Sequence, residues 1–164
     1  LNGILNSLKK LKNTKIIFTM PNIDMGNKVI HQIIKNFVEK NKSTSIIVKS
    51  LGQQLYFSIL RFTDLVIGNS SSGIIEVPSF KVPTINIGNR QSGRLKPKSV
   101  IDFDLKKDNF EKKLYKSLSK KFRKNIKKIK NPYFKKDTAK KMTSIMKKID
   151  FSKGTQKVFY EKKN

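Results

Sequence analysis

The sequence contains no cysteine, which excludes disulfide bonds, thiolate metal sites and cysteine nucleophiles and leaves the redox compartment open. Long apolar runs are also lacking: none reaches the ~20 residues that a membrane-spanning helix needs, and nothing resembles a secretory signal. We therefore expect a cytoplasmic protein with no membrane partner. Acidic residues are scarce as well, with 11 Asp and Glu against 37 Lys and Arg.

The net charge of +26 that results is the kind of excess found in nucleic-acid-binding proteins. Lysine supplies nearly all of it, since the only arginines are Arg61, Arg90, Arg94 and Arg123. The lysines are densest after residue 105, where they fall between apolar positions as on the solvated face of a helix. We expect such a face and no nucleic-acid partner. A basic module that binds nucleic acid or an anionic surface remains the alternative.

Metal and cofactor motifs are missing from the sequence. His31 is the only histidine and has no carboxylate at ligand spacing, so we interpret it as an incidental surface or boundary residue of a helix. There is no Walker loop, G-x-G-x-x-G motif or nucleophile elbow. We expect neither a metal nor a cofactor.

Short apolar runs alternate with amphipathic stretches from the start of the chain to residue 87. The spacing predicts helices over residues 2–11, 25–40 and 53–61, and strands over residues 15–20, 45–49, 64–68 and 84–87, which complete the strand set. Strands this short, apolar on both faces and separated by helices, are typical of a parallel sheet covered on both sides. The predicted fold class is a doubly wound α/β domain.

The C-terminal part has a different pattern. Residues 110–129 carry the apolar stripe of one helix or two, ended by Asn131-Pro132. Asp137 is placed to cap a last helix, and a polar, basic tail follows Phe151. We expect one domain over residues 1–134 and a C-terminal helix with a basic tail over residues 135–164. Because the chain starts at Leu1 within a predicted helical segment, we also expect a missing N-terminal piece.

A serine-rich turn follows the strand that ends at Gly68. There Asn69-Ser70-Ser71-Ser72-Gly73 leads into a short helix, which Pro78 should shorten or kink. Ligands of open α/β sheets bind beyond the carboxyl ends of strands, and a helix N-terminus offers phosphate unpaired N–H groups and about half a positive charge. Gly73 would let the backbone approach the ligand. The alternative is a single serine that merely caps the helix. Three serines and a glycine exceed that need, so the turn predicts an anion site.

Further polar side chains lie near this turn in the predicted fold. Glu76 sits among apolar residues and needs a partner, which a ribose diol or the helix dipole would supply equally well. Arg90 and Arg94 follow a strand in a glycine-containing loop, where a guanidinium can donate two parallel hydrogen bonds to phosphate. A surface salt bridge is the alternative for them. Asn22 follows another strand and suits either a ligand or an ordinary turn.

Residues 68–94, GNSSSGIIEVPSFKVPTINIGNRQSGR, strongly resemble the nucleotide site of the hydrolysing UDP-N-acetylglucosamine 2-epimerases of the sialic-acid pathway. TMPNIDMG at 19–26, SLGQQLYFSIL at 50–60 and SVIDF at 99–103 resemble the same family in the same order. The resemblance covers roughly residues 1–135. It implies one half of a GT-B-type fold, in which two Rossmann-like halves enclose the active site, and it makes this chain the second half.

The resemblance implies that six residues bind the UDP-sugar substrate: Asn22, Ser70, Ser71, Ser72, Glu76 and Arg90. By the family pattern, the first two serines contact the diphosphate, helped by backbone N–H groups around the third. By the same pattern, Glu76 holds the ribose hydroxyls and Arg90 neutralises phosphate. Asn22 faces the sugar-nucleotide. Tyr56 lies near the uracil by the same resemblance, or else packs in the core.

The implied reaction removes the proton at C2, eliminates UDP and adds water, so that the C2 epimer, N-acetylmannosamine, is released. The carboxylates that transfer protons belong to the other half of the family fold. The resemblance therefore implies no catalytic residue in this chain, which alone should be inactive, and a homodimer at full length. The donor-nucleotide domain of a GT-B glycosyltransferase is the alternative enzyme class.

Overall fold

The structure is a computed structural model, and it describes residues 1–20, 27–150 and 152. Its elements alternate between helix and strand before a helical C-terminal part, which confirms the predicted α/β class. In chain order they are α1 (Asn2–Lys9), β1 (Ile16–Thr19), α2 (Asn27–Lys40), β2 (Ser45–Val48), α3 (Gly52–Leu60), β3 (Val66–Gly68), α4 (Ser72–Ile75), a 3-10 turn (Val77–Phe80), β4 (Thr84–Ile87), β5 (Val100–Phe103), α5 (Phe110–Leu118), α6 (Lys120–Ile126) and α7 (Thr138–Met146).

Strand β5 lies outside the predicted strand set. It is only four residues long and carries a charged residue, Asp102, between Ile101 and Phe103. These two apolar side chains are buried, while Asp102 is exposed. An apolar–polar alternation over so few residues is a weak strand signal, although pairing with β4 makes it a strand.

The described strands are all parallel, and they form two sheets. Strand β1 pairs with β2, with Ile16 opposite Ser45 and Thr19 opposite Val48. The second sheet has the order β3-β4-β5, so that β4 is central. Short parallel strands joined by helices are the arrangement expected of a Rossmann-like domain.

The helices lie on both faces of the β3-β4-β5 sheet. On one face, Ile4 and Leu8 of α1 and Leu114 of α5 pack with Ile85 and Phe103 in a single core cluster. On the other face, Leu60 of α3 packs with Val77 and Val82, and Val66 of β3 joins them. Helices on both faces make this sheet doubly wound.

The β1-β2 sheet is covered differently from the predicted two-sided arrangement. Phe18 of β1 packs edge-on against Phe37 of α2, with ring centroids 5.7 Å apart. The opposite face carries Ile17 and Ile46, which are register partners and are 40% and 50% exposed. One face of this pair of strands is therefore open.

The chain divides into two compact units, one from Leu1 to Tyr133 and one that begins at Phe134. The second unit contains α7, whose side chains are all exposed. Asp137 precedes α7 as predicted, but its backbone is left-handed, at φ 58°, and its side chain makes no capping hydrogen bond. Most of the predicted basic tail, residues 153–164, lies outside the described residues. Within the described part, each helix is too short or too polar to cross a membrane.

Candidate functional site

The serine turn leaves the carboxyl end of β3 and enters α4, which is only four residues long. Pro78 stands at the start of the 3-10 turn that follows, so the predicted shortening of the helix by this proline is confirmed. A helix of one turn aligns few peptide dipoles. Its contribution to an anion site is therefore smaller than the half charge of a long helix.

The three serine side chains differ in their surroundings. Ser70 is exposed, and its Oγ accepts a hydrogen bond from the backbone N–H of Ser72 at 3.3 Å. Ser71 is half-buried and stands at the N-cap of α4 without a capping side-chain bond. The hydroxyl of Ser72 is 2.6 Å from that of Tyr56. The turn is thus partly open to solvent, and two of its serines have local partners.

Tyr56 links helix α3 to the serine turn. Its ring is half-buried against the cluster of Leu60, Val77 and Val82, so it belongs to the edge of the core. Burial raises the pKa of Tyr56, the hydrogen bond with Ser72 opposes this in part, and the nearby charge of Glu76 raises the pKa further. The phenol therefore stays protonated, as a donor or acceptor for Ser72.

Glu76 is half-buried directly after α4. Its Oε2 is buried and has no hydrogen-bond partner among the described residues. A buried carboxylate oxygen without a donor costs free energy, on the order of 1–3 kcal/mol or more for a charged group. A donor from outside the described chain would remove this cost.

The structure gives Gly73 a packing role, and its close approach to a ligand stays a prediction. A Cβ built at this position would lie 2.7 Å from Cγ2 of Thr84, a buried residue of β4. The hydroxyl of Thr84 also donates a hydrogen bond to the carbonyl of Gly73 at 2.9 Å. The glycine thus lets the helix after β3 contact the neighbouring strand.

The loop after β4 carries Arg90. Gly88 and Gly93 take positive φ angles of 71° and 78°, a backbone conformation that is unfavourable for residues other than glycine. The next residue, Gln91, is buried, and its Nε2 donates to the carbonyl of Asn69 at 2.8 Å. This bond holds the Arg90 loop beside the serine turn. Arg90 itself is exposed, and the four ion pairs of the described residues do not include it.

Gln91 and Asn131 are polar residues of this region that the sequence analysis did not single out. The Oε1 of Gln91 is buried and lacks a hydrogen-bond partner within the described part of the chain. The Nδ2 of Asn131 donates to the carbonyl of Ile75 and to Oγ of Ser79, both at 2.7 Å. Gln91 had one available signal, its place between two arginines of the GNRQSGR loop. For Asn131, the sequence predicts only the end of a helix.

A second cluster of polar side chains joins β4, β5 and the loop before β5. Asn86 is buried and donates to Asp102 at 2.7 Å, while Lys96 contacts both carboxylate oxygens at 2.9 and 2.8 Å. Burial alone would raise the pKa of Asp102, but the hydrogen bonds from Lys96 and Asn86 outweigh it and hold the pKa below its usual value. This group joins the loop before β5 to the sheet.

Asn22 lies outside the described residues, so only five of the six predicted binding residues have a place in the structure. Four of them lie between the end of β3 and the 3-10 turn, namely Ser70, Ser71, Ser72 and Glu76, and Arg90 follows the neighbouring strand β4. His31 is half-buried on α2, a boundary position. Two clefts of about 440 and 430 Å³ have other linings, one between α1 and α2 and one between α1 and the β5–α5 segment.

The fold and these polar residues define an open, parallel α/β domain of the Rossmann-like class, with its polar cluster beyond the carboxyl end of β3. A family model described as UDP-N-acetylglucosamine 2-epimerase matches residues 1–147. Because this match covers most of the sequence, the chain belongs to the UDP-N-acetylglucosamine 2-epimerase family, as the resemblance predicted.

Curated relatives carry related names. GDP/UDP-N,N'-diacetylbacillosamine 2-epimerase (hydrolyzing) of Campylobacter jejuni is 40% identical over 122 residues, which cover 74% of this chain and 31% of the relative. Polysialic acid biosynthesis protein P7 of Escherichia coli is 37% identical over 158 residues, 96% of this chain and 39% of the relative. UDP-N-acetylglucosamine 2-epimerase of Neisseria meningitidis is 32% identical over 100 residues, 61% of this chain and 26% of the relative. The chain thus spans well under half the length of these relatives.

Proposed function

We propose that this chain is the UDP-binding half of a hydrolysing UDP-N-acetylglucosamine 2-epimerase, which converts UDP-N-acetylglucosamine to N-acetylmannosamine and UDP. The observation that carries the proposal is the buried, unpartnered Oε2 of Glu76 beside Tyr56 and the serine turn. A carboxylate in this position suits the two hydroxyl hydrogens of a ribose, because each hydroxyl donates and the carboxylate only accepts.

Phosphate recognition falls to the residues around this carboxylate. Ser70 and Ser71 offer hydroxyl and backbone donors at the end of β3, with the N–H groups around Ser72 assisting, and Arg90 supplies an exposed positive charge on the adjacent loop. Gln91 supports this grouping, since its bond to Asn69 ties the two loops together. Asn22 remains proposed to face the sugar-nucleotide.

The contribution of this half to the reaction is electrostatic. Elimination at C2 leaves negative charge on the departing UDP, and donors already oriented towards the diphosphate stabilise that charge without reorganising. The groups that move protons at C2 are proposed to lie in the remaining part of the longer protein. The 164-residue chain alone is therefore inactive, and the full-length protein forms a homodimer.

A second candidate keeps the site and changes the sugar. The name of the Campylobacter relative includes N,N'-diacetylbacillosamine linked to GDP or UDP. Because the residues named above contact the nucleotide, the same half would serve a UDP-linked diacetamido sugar. Turnover of the two UDP-sugars by the full-length protein separates the candidates: release of N-acetylmannosamine supports the first, and turnover of the diacetamido sugar alone supports the second.

The ribose role of Glu76 is tested by calorimetry with UDP and with inorganic pyrophosphate. Glu76→Gln should weaken UDP binding by about tenfold to a hundredfold, because a hydrogen bond to a charged acceptor contributes roughly 1.5–3 kcal/mol. Pyrophosphate binding should stay unchanged, since it has no ribose. Glu39→Gln is the matched control, an exposed glutamate on α2 that changes the charge equally. Equal losses for both ligands would contradict the ribose role.

The phosphate role of Arg90 has a separate test. Arg90→Glu should weaken UDP and pyrophosphate by about the same factor, because both present phosphate charge to the loop. Arg61→Glu, at the exposed end of α3, makes the same charge change elsewhere. Full affinity in the Arg90 variant would remove this residue from the site.

A further inference from the structure

Pro78 deprives a nearby carbonyl of its usual backbone donor. The 3-10 turn after α4 is held by hydrogen bonds between residues three positions apart, such as the one from the N–H of Ser79 to the carbonyl of Glu76 at 3.0 Å. In this pattern the carbonyl of Ile75 would accept from residue 78. That residue is a proline and has no N–H. The turn therefore lacks the backbone donor that Ile75 would otherwise have.

A side chain from outside the turn takes the place of this donor. The Nδ2 of Asn131 donates to the carbonyl of Ile75 and to Oγ of Ser79, both at 2.7 Å. The Oδ1 of the same amide accepts from the backbone N–H of Tyr133 at 3.0 Å. Because a backbone carbonyl only accepts and a backbone N–H only donates, these partners fix which end of the amide faces Ile75. Asn131 is thus an oriented donor at the end of α4.

The bond from Asn131 acts on the peptide group that leads into Glu76. This group is planar and contains the carbonyl of Ile75 and the N–H of Glu76. The N–H donates to the carbonyl of Ser72 at 3.0 Å, while the carbonyl accepts from Asn131 at 2.7 Å. Because both ends of the peptide are held, its plane can turn little about the neighbouring bonds. The direction in which the Glu76 side chain leaves the backbone depends on that plane.

The segment that carries Asn131 is itself attached on both sides of this residue. Ahead of it, the ammonium of Lys81 donates to the carbonyl of Ile129. After it, the hydroxyl of Tyr133 donates to the carbonyl of Leu95 at 2.9 Å. Both bonds reach parts of the chain that are distant in sequence. They restrict the movement of Asn131 relative to the end of α4.

We infer that Asn131 is a positioning residue for Glu76: it supplies the donor that Pro78 does not have, and thereby keeps the carboxylate directed towards a ribose. No hydrogen bond among the described residues holds Oε2 of Glu76, so the direction of this oxygen depends on the backbone. Asn131 bonds a neutral carbonyl and adds no charge, so its effect on binding is geometric. This role rests on the proposed ribose contact of Glu76 and extends it to a residue that touches no ligand.

Calorimetry with UDP and inorganic pyrophosphate tests this role in the 164-residue chain. Asn131→Ala should weaken UDP binding by about three- to tenfold, because Glu76 remains present but is held less firmly. Pyrophosphate binding should stay unchanged, since this ligand has no ribose. When Glu76→Ala is already in place, adding Asn131→Ala should weaken UDP binding no further, because the group through which the asparagine acts is gone. Circular dichroism checks that each variant is folded.

Two further variants separate positioning from a general loosening of the segment. Tyr133→Phe removes the bond to Leu95 and leaves the carbonyl of Ile75 paired, so it should not change the ratio of the UDP and pyrophosphate affinities. Pro78→Ala gives residue 78 an N–H for that carbonyl. Combined with Asn131→Ala, it should recover part of the lost UDP affinity, whereas by itself it should bring no gain.

Several results would overturn the positioning role. These are an equal loss for UDP and pyrophosphate in Asn131→Ala, an undiminished further loss beside Glu76→Ala, and no recovery with Pro78→Ala. An unchanged UDP affinity in Asn131→Ala would overturn it too, where Glu76→Ala does weaken UDP. If Glu76→Ala itself leaves UDP binding intact, the proposed function fails instead.

An ultraviolet titration tests Asn131 independently of the ligand. Beyond the effect of burial, the charge of Glu76 raises the pKa of Tyr56. The fall in this pKa on Glu76→Gln should be smaller when Asn131→Ala is present, because a less firmly held carboxylate is more often in solvent. An equal fall with and without Asn131→Ala would show that the asparagine does not direct Glu76.

Discussion

Replacing Gly73 by alanine tests whether this glycine serves packing within the protein. The added methyl carbon would lie 2.7 Å from Cγ2 of Thr84, well inside contact distance. Thr84 has little room to yield, because it is buried at 2% exposure, its β-branched side chain is stiff, and its hydroxyl is bonded to the carbonyl of Gly73. Either α4 or β4 must shift.

Two opposing effects set the size of the change. Overpacking of a buried contact costs about 1–3 kcal/mol of unfolding free energy. Alanine gains up to about 1 kcal/mol over glycine in a helix, and less in a helix of one turn. We expect Gly73→Ala to destabilise the chain by about 1–2 kcal/mol, the difference between these effects.

Urea unfolding followed by circular dichroism measures this loss, and a second substitution identifies its cause. Thr84→Ser removes Cγ2 and keeps the hydroxyl, at a cost of about 1 kcal/mol for the lost methyl. In the double variant the alanine methyl fills the vacated space, so its stability should exceed the additive sum of the single variants by about 1 kcal/mol or more. Gly3→Ala, on α1 with no atom near its added Cβ, should not destabilise. Strict additivity, or a Gly73→Ala variant as stable as the parent, would refute the packing explanation.

Four further predictions concern polar contacts. Tyr56→Phe should cost about 1 kcal/mol in urea unfolding, because it removes the 2.6 Å hydrogen bond with Ser72. Glu76→Gln should lower the pKa of Tyr56 towards its ordinary value, seen in an ultraviolet titration, since a nearby charge is lost; an unchanged or higher pKa would contradict the contact. Asn131→Ala should cost about 1–2 kcal/mol by losing two donated hydrogen bonds, and an unaltered urea midpoint would show that they contribute nothing. Because the pKa of Asp102 is lower in the folded protein than in the unfolded chain, its carboxylate stabilises the fold above the unfolded-state pKa, and this stability is lost as pH falls through the folded-state pKa. Asp102→Asn should therefore reduce the loss of unfolding free energy at acidic pH by under about 1 kcal/mol.

The elements that the sequence predicted well are those with a strong local signal. The apolar periodicity of residues 27–40 continues through four turns, and the structure has a helix there. Pro78 ends α4 because its ring and missing N–H act on the adjacent turn, which is a local effect. Strand β5 was missed because its strand character comes from pairing with β4. The N-cap of α7 was located correctly, but whether Asp137 bonds there depends on its backbone angles.

The candidate site was likewise predictable in its local features and not in its long-range contacts. A serine-rich turn after a short apolar run indicated where polar groups leave the sheet, and the structure has that turn after β3. The partners of those groups were not predictable. Tyr56 reaches Ser72 across 16 positions, and Gln91 reaches Asn69 across 22. No periodicity links residues so far apart, because the packing of the elements brings them together.

The sequence by itself thus determined the types and order of most elements, the position of the serine turn and membership of the epimerase family. Each of these follows from spacing or motif within a few tens of residues, which side-chain chemistry encodes directly. Only the tertiary structure decided that the described strands form two sheets, that Gly73 makes room for the side chain of Thr84, and that Glu76 keeps a buried oxygen without a donor among the described residues. These features depend on atoms of distant segments meeting at a few ångströms, and the relative placement of helices and strands sets those distances.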